Sequence, residues 1–350
     1  MIDGDTVGAR HGRVMVAAVL LVSLGLSACS GEVQPTAASG IDPGDPERAG
    51  QAGTLTGVSP LTGAQVGDRT PEHPVLVVKI DNTGGAAPQL GLGAADLVVE
   101  ELVEGGLTRL AAFYWEQTPR VVGPVRSVRA TDIGIVAPAD AALIASGGTT
   151  RTVRQVERAG IPTFFEATDV QATDAFSRDS TRTAPYNLMM DLDSLAGSLD
   201  APGPTVAYLP FGDARDLPRG DVATTVDVVF SPAQATSWRY EDGTGYVRSP
   251  SMAEQGDDFV PQNLLVIDVK VTDAGYQDAA GSTVPTSKFS GRGDAVLFHG
   301  GRAIQATWTK DGPDGALALR TPDGEPLGVP VGRTWIELMP RAGGVLTFSG

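Results

Sequence analysis

The chain has 350 residues and carries 42 acidic against 26 basic side chains, a formal net charge of −16. That balance excludes a nucleic-acid binder, which needs a basic surface to meet phosphates. One cysteine and three histidines exclude a disulfide framework and argue against a Cys/His metal site.

An uncharged apolar run fills residues 14–26, after Arg10 and Arg13 and before Leu26-Ser27-Ala28-Cys29. A basic start, a short apolar core and small residues at the end describe a signal peptide over residues 1–28. Such a run rises only about 20 Å, short of the roughly 30 Å bilayer core, so it does not read as a transmembrane helix. The Leu-Ser-Ala-Cys box resembles the lipobox of bacterial lipoproteins, in which the cysteine thiol is lipidated. Cys29, alone of its kind in the chain, is therefore expected to hold the protein on the outer face of the bacterial cytoplasmic membrane. The bland alternative is an ordinary secreted chain with a chance cysteine. Residues 29–57 are rich in Gly, Ala, Pro, Thr and Ser without apolar periodicity, which predicts a flexible tether.

Order is expected from residue 58. Short apolar runs predict strands at residues 75–80, 97–104, 107–115 and 141–145. Gly105-Gly106 predicts a two-residue hairpin turn, pairing Glu104 with Leu107 and Leu102 with Arg109. Residues 152–159 predict a helix ended by Gly160 and Pro162, and residues from 127 onward are read as a mixed segment that allows a helix. A Pro/Gly-dense stretch at 200–224 reads as a connection between domains. Beyond it, eight short runs between residues 225 and 339, separated by turn clusters, predict a mainly antiparallel β domain. The expected fold class is α+β: an N-terminal mixed α/β domain over 58–199, then a smaller β domain over 225–341.

Arginine grips carboxylates and phosphates with a planar fork, and in so acidic a chain clustered arginines need partners. Gly123-Pro124-Val125-Arg126-Ser127-Val128-Arg129 sets two guanidiniums three residues apart. Arg109 is expected within reach of Glu100 and Glu104 across the hairpin. Arg182 and Asn187 fall in a second polar stretch. Together Glu104, Arg109, Arg126, Arg129, Arg182 and Asn187 form the predicted ligand-binding set, for an anionic small molecule or an envelope protein.

Catalytic sets fare poorly. His73 is expected in a loop and His299 in a hairpin turn, with no nucleophile motif near either. No phosphate loop or dinucleotide fingerprint occurs, so no cofactor and no metal is expected. Paired carboxylates among Asp96, Glu100, Glu101 and Glu104 leave open a glycan hydrolase as the rival class, with an enzyme the less favoured outcome.

Asp81-Asn82, the stretches 88–92 and 95–100, Val103-Glu104-Gly105-Gly106-Leu107-Thr108-Arg109 and Gly123-Pro124-Val125-Arg126-Ser127 occur in an order that resembles the YerB-like lipoproteins. Residues 182–187, 263–267 and 293–310, with Thr307-Trp308, add to the likeness. The resemblance implies a lipid-anchored cell-envelope protein with an N-terminal and a C-terminal domain, both of unknown function. It implies no activity. This chain departs from the pattern in lacking a histidine after Tyr246-Val247-Arg248 and in carrying Tyr186 where relatives tend to have histidine.

Overall fold

A computed structural model describes residues 57–350, except 68–69, 167–168, 170–171, 202 and 279–280. The signal peptide, Cys29 and nearly all of the expected tether lie outside the described residues.

Alternating and continuous apolar runs produce strands because each buries one or both faces. Those that build the main sheet are β1 (Leu76–Asp81), β2 (Leu97–Leu102), β3 (Thr108–Tyr114), β4 (Ala142–Ala145), β5 (Thr163–Phe165), and, after residue 220, β6 (Asp221–Val222). A smaller sheet begins with β7 (Thr225–Ser231), β8 (Gln234–Glu241) and β9 (Gly245–Arg248). The main sheet resumes with β10 (Asn263–Gln277), β11 (Thr283–Lys288), β12 (Gly291–His299), β13 (Arg302–Lys310), β14 (Leu317–Arg320) and β15 (Thr334–Pro340). β16 (Val345–Ser349) then joins the smaller sheet. The helices are α1 (Asp132–Val136), α2 (Thr150–Arg158) and α3 (Leu192–Ser198).

The main sheet has 12 strands, ordered β14-β13-β12-β10-β15-β2-β3-β1-β4-β5, with β11 on β10 and β6 on β13. The two halves of the sequence therefore meet inside one sheet. At the seam β15 runs parallel to both β10 and β2, with Glu337 opposite Glu100. The fold is α+β and mostly strand. The later strands are not a purely antiparallel unit set apart, because β15 is sandwiched between strands of both halves.

One face of the sheet buries Val77, Val99, Phe113, Leu265 and Ile336 with α1 and residues around Leu61 and Tyr208. The other buries Val78, Val98, Leu264 and Trp335 against α3 and the four-stranded sheet β9-β8-β7-β16. Trp238 of that sheet meets Trp335 edge-on at 5.0 Å between ring centroids, and Phe298 meets Phe348 at 5.5 Å. Edge-to-face pairs of this kind add about 0.5–1.5 kcal/mol beyond area burial.

Two local expectations are corrected. The connection between β2 and β3 is not a two-residue turn. Val103 N–H donates to the Leu107 carbonyl across a three-residue turn, Glu104–Gly106, in which both glycines adopt left-handed backbone angles. The register is therefore Leu102 opposite Thr108 and Glu101 opposite Arg109. A one-residue slip moves every side chain to the other face, so Glu100 and Arg109 point away from each other. The stretch carrying Arg126 and Arg129 is extended, and α1 begins only at Asp132, which accepts the Arg129 main-chain N–H at 2.6 Å.

Candidate functional site

The same register puts Lys79, Glu101, Arg109 and Asp81 on one face of three adjacent strands. Lys79 is fully buried, and its ammonium lies 2.6 Å from Glu101 and 2.7 Å from Asp132, both also fully buried. Burial alone would discharge Lys79, but the two carboxylates overcome it and raise its pKa. Burial and the nearby Asp132 push Glu101 up to about 7. Charges this deep persist because each has a partner.

Nearer the surface Glu104 gathers two guanidiniums. Arg129 grips it with two N–H groups, Nε to Oε2 at 2.7 Å and Nη2 to Oε1. Arg109 reaches Oε1 at 2.9 Å and gives its other arm to the Ser127 carbonyl at 2.9 Å. Burial acts against the Glu104 carboxylate, yet the Arg129 hydrogen bonds and both positive charges bring it down to about 2. The shared carboxylate offsets burial for Arg129, whose pKa rises. At Arg109, which gives Glu104 only one N–H, burial and then the Arg129 charge win, and its pKa falls to about 10.

Arg126 completes the group. Its Nε lies 2.8 Å from Asp81 Oδ2, and its guanidinium sits 5.7 Å from the centre of the Tyr186 ring. Asp81, Thr83, Glu104, Arg109, Arg126 and Tyr186 line a cavity of about 260 Å³. Asp278 and Ser282, where the arm formed by β10 and β11 turns, also line it. That arm is pinned to the first half of the chain: Tyr276 and Thr152 hydroxyls meet at 2.7 Å, and Ser287 N–H donates to Thr131 at 3.0 Å.

Glu104, Arg109, Arg126 and Arg129 thus gather in one place, whereas Arg182 and Asn187 do not join them. Arg182 donates to the Ala86 and Pro88 carbonyls at 3.1 and 2.6 Å and pairs with Asp179, bracing a turn. Asn187 accepts from Arg178, which clasps Glu166 on the surface. Asp96 accepts main-chain N–H groups of Trp115 and Glu116, and burial pushes it up to about 7. His299 meets Asn263 at 2.8 Å in a hairpin turn.

On the opposite face lies a second buried polar cluster. Glu100 accepts from Asn82 at 2.9 Å, from Thr108 at 2.7 Å and from Thr236 at 3.0 Å. Glu337, its neighbour across the seam, accepts from the Trp238 indole at 2.9 Å. Both are fully buried, and burial followed by the Glu100 charge raises Glu337 well above the ordinary carboxyl range. Arg248, stacked 5.4 Å from the Trp335 ring, donates to Asn82 and is the cation facing the pair. A raised acid is favoured by folding only while protonated. Its contribution is complete below the ordinary value of 4.5 and is lost as pH rises towards the folded value. Glu337→Gln cannot ionise and keeps the shape. It is expected to flatten the fall of the urea midpoint as pH rises above 4.5 and to be the more stable protein at high pH. Equal slopes in the two proteins would refute a Glu337 that folding keeps protonated.

No helix among the described residues is long and apolar enough to cross a membrane. The fold and its clusters define a mixed-sheet protein whose two sequence halves are joined at a buried carboxyl pair. Models of the N-terminal and C-terminal domains of "Protein of unknown function (DUF3048)" match residues 61–205 and 226–336. The chain is 24% identical over 301 residues to "Putative lipoprotein YerB" of Bacillus subtilis, covering 81% of this chain and 86% of that one. The crystal structure of the Bacillus subtilis YerB protein superposes with a TM-score of 0.68 at 22% identity, over 83% of this chain and 99% of the other. The chain belongs to the YerB-like family, as its motifs implied.

Proposed function

We propose that this chain is an envelope lipoprotein, anchored through Cys29 on the outer face of the cytoplasmic membrane, whose folded body binds a small ligand bearing an anionic group. The lipobox-like Leu26-Ser27-Ala28-Cys29 and the relative's name as a lipoprotein support the anchor. Radiolabelled palmitate is expected in the native chain and absent from Cys29→Ser; equal label in both would remove the anchor.

The observation behind the ligand is Arg126. Its inner edge is engaged by Asp81, its plane faces Tyr186, and its side chain is 22% exposed beside the cavity. A guanidinium fixed on one edge presents its remaining donors in a set direction, which suits a carboxylate or phosphate. A volume of about 260 Å³ lies below the roughly 300–1,000 Å³ of drug-sized pockets, so the ligand is small. Asp81, Glu104 and Asp278 also line the cavity. They would repel a bare multivalent anion and favour a ligand that also carries hydrogen-bond donors or a positive charge. Nothing favours the glycan-hydrolase alternative. At about 2, Glu104 is ionised throughout the physiological range and cannot serve there as a general acid.

Titration of the full chain with amino acids, small carboxylates and phosphate esters is expected to raise the melting temperature with at least one class. Arg126→Ala should abolish that rise while shifting the unliganded melting temperature little, because Asp81 keeps its hydrogen bonds from Thr83. A rise that persists in Arg126→Ala places the ligand elsewhere.

A further inference from the structure

A second opening lies far along the sheet, at its outer edge. β13 is paired on one side with β12 over its whole length. Its other side is covered at the start by β6, with Ala303 opposite Asp221, and at the end by β14, from Thr307 opposite Arg320 to Lys310 opposite Leu317. Between them residues 304–306 have no strand partner on that side. The β12–β13 hairpin closes at His299 and Arg302 around Gly300-Gly301, whose backbones are both left-handed. A two-residue turn makes this closing pair hydrogen-bonded, so residues 302, 304 and 306 turn their main-chain groups to β12. Gln305 then turns its N–H and C=O outward, and neither has a hydrogen-bond partner among the described residues.

The gap between Ala303 and Thr307 spans about 13 Å of strand. It opens into a cavity of about 550 Å³. Ile304 and Leu327 supply apolar lining, and Asp216, Asp221, Asp323 and Glu325 supply carboxylates that form no ion pair among the described residues. Asp213 also lines it but is engaged by Arg215, and Arg219 is its only lining cation. Folded proteins normally cover or charge an open strand edge, because it is a template for another strand. Here the edge is covered on both sides of a window and left open within it.

We propose that this window docks a short, extended, basic segment of a partner protein, which pairs with Gln305 by main-chain hydrogen bonds and sets Lys or Arg side chains against the surrounding carboxylates. Strand addition of this kind takes affinity from the main chain and specificity from alternate side chains. Charge selects the occupant. A second copy carries the same −16, and the chain's own residues 30–57 hold Glu32, Asp42, Asp45 and Glu47 against Arg48 alone. Both would be repelled, whereas a basic segment is attracted.

The test is amide hydrogen exchange of the full chain with a pool of capped tripeptides that set Lys or Arg on either side of Val, about 10 Å long when extended. Exchange at Gln305 should slow at least tenfold on binding. Tripeptides with Glu in place of the basic residues, or with N-methylated main chains, should bind at least tenfold more weakly. Gln305→Pro, which deletes the outward N–H, should abolish binding. Asp216→Asn with Glu325→Gln, both on the surface, should weaken it at least tenfold with the melting temperature unchanged, and keeps the test decisive if the proline variant unfolds. Unchanged exchange at Gln305 with the basic pool, or equal binding by the Asn/Gln double variant, overturns the proposal.

Discussion

Replacing Lys79 by methionine is expected to destabilise the protein by about 3–5 kcal/mol, read as a fall in the urea midpoint at pH 7. Methionine fits the volume and keeps the apolar stem, so packing changes little. What changes is charge. Glu101 and Asp132 would be left together in a dry interior without the ammonium that lies 2.6 and 2.7 Å from them. Two carboxyls there cannot both ionise, and at least one must take up a proton that the unfolded chain does not hold at neutral pH. The loss should therefore shrink as pH falls towards 5. Adding Glu101→Gln and Asp132→Asn to Lys79→Met, so that the whole group is neutral, should recover much of it. A Lys79→Met protein as stable as its parent at pH 7 would show that the triad is energetically neutral.

Glu104→Gln is expected to cost about 3 kcal/mol at pH 7. Two arguments of different kind give that size. Removing one partner of a buried ion pair costs about 3–5 kcal/mol. A carboxyl brought from 4.5 down to about 2 contributes about 3 kcal/mol by linkage. Its side chain is 12% exposed, so solvent screens it little. Because the folded pKa is depressed, the contribution is present above pH 4.5 and is lost as pH falls through about 2. The difference between parent and variant should be constant from pH 5 upward and vanish near pH 2. A difference that persists at pH 2 would assign the effect to packing instead. Glu104→Asp, one methylene shorter, cannot keep both the fork on Arg129 and the bond to Arg109, and should fall between the two.

Most strands were legible because their apolar runs are bounded by turn residues. Runs of Val, Leu and Ile such as residues 75–80 and 264–271 announce burial without specifying partners. The seam was not legible, since parallel pairing of β15 with β2 joins residues far apart in the sequence through no local signal. The Glu104 cluster was foreseen as to most of its members. Its geometry was missed because a three-residue turn, not a two-residue one, connects β2 to β3, and that slip hid Glu100 on the opposite face. Arg182 and Asn187 looked equivalent to the other polar residues because composition does not reveal which donors are already used on nearby carbonyls. Two signals were available and unused. Lys79 within Leu76–Asp81 and Glu337 within Thr334–Pro340 are charges flanked on both sides by apolar residues of their strands. A lone charge there requires a buried partner, and each has one.

The position of β15 bears on how the chain acquires its structure. As the polypeptide emerges N-terminus first, β2 can pair with β3 at once, but its other flank waits for residues 334–340, more than two hundred positions later. Until then the flank of β2 from Leu97 to Glu101 is open to any passing strand, and Glu100 has not met Glu337. Fragments cut near residue 205 should accordingly clump, and quality control in the cell would meet this protein first as an unfinished left half.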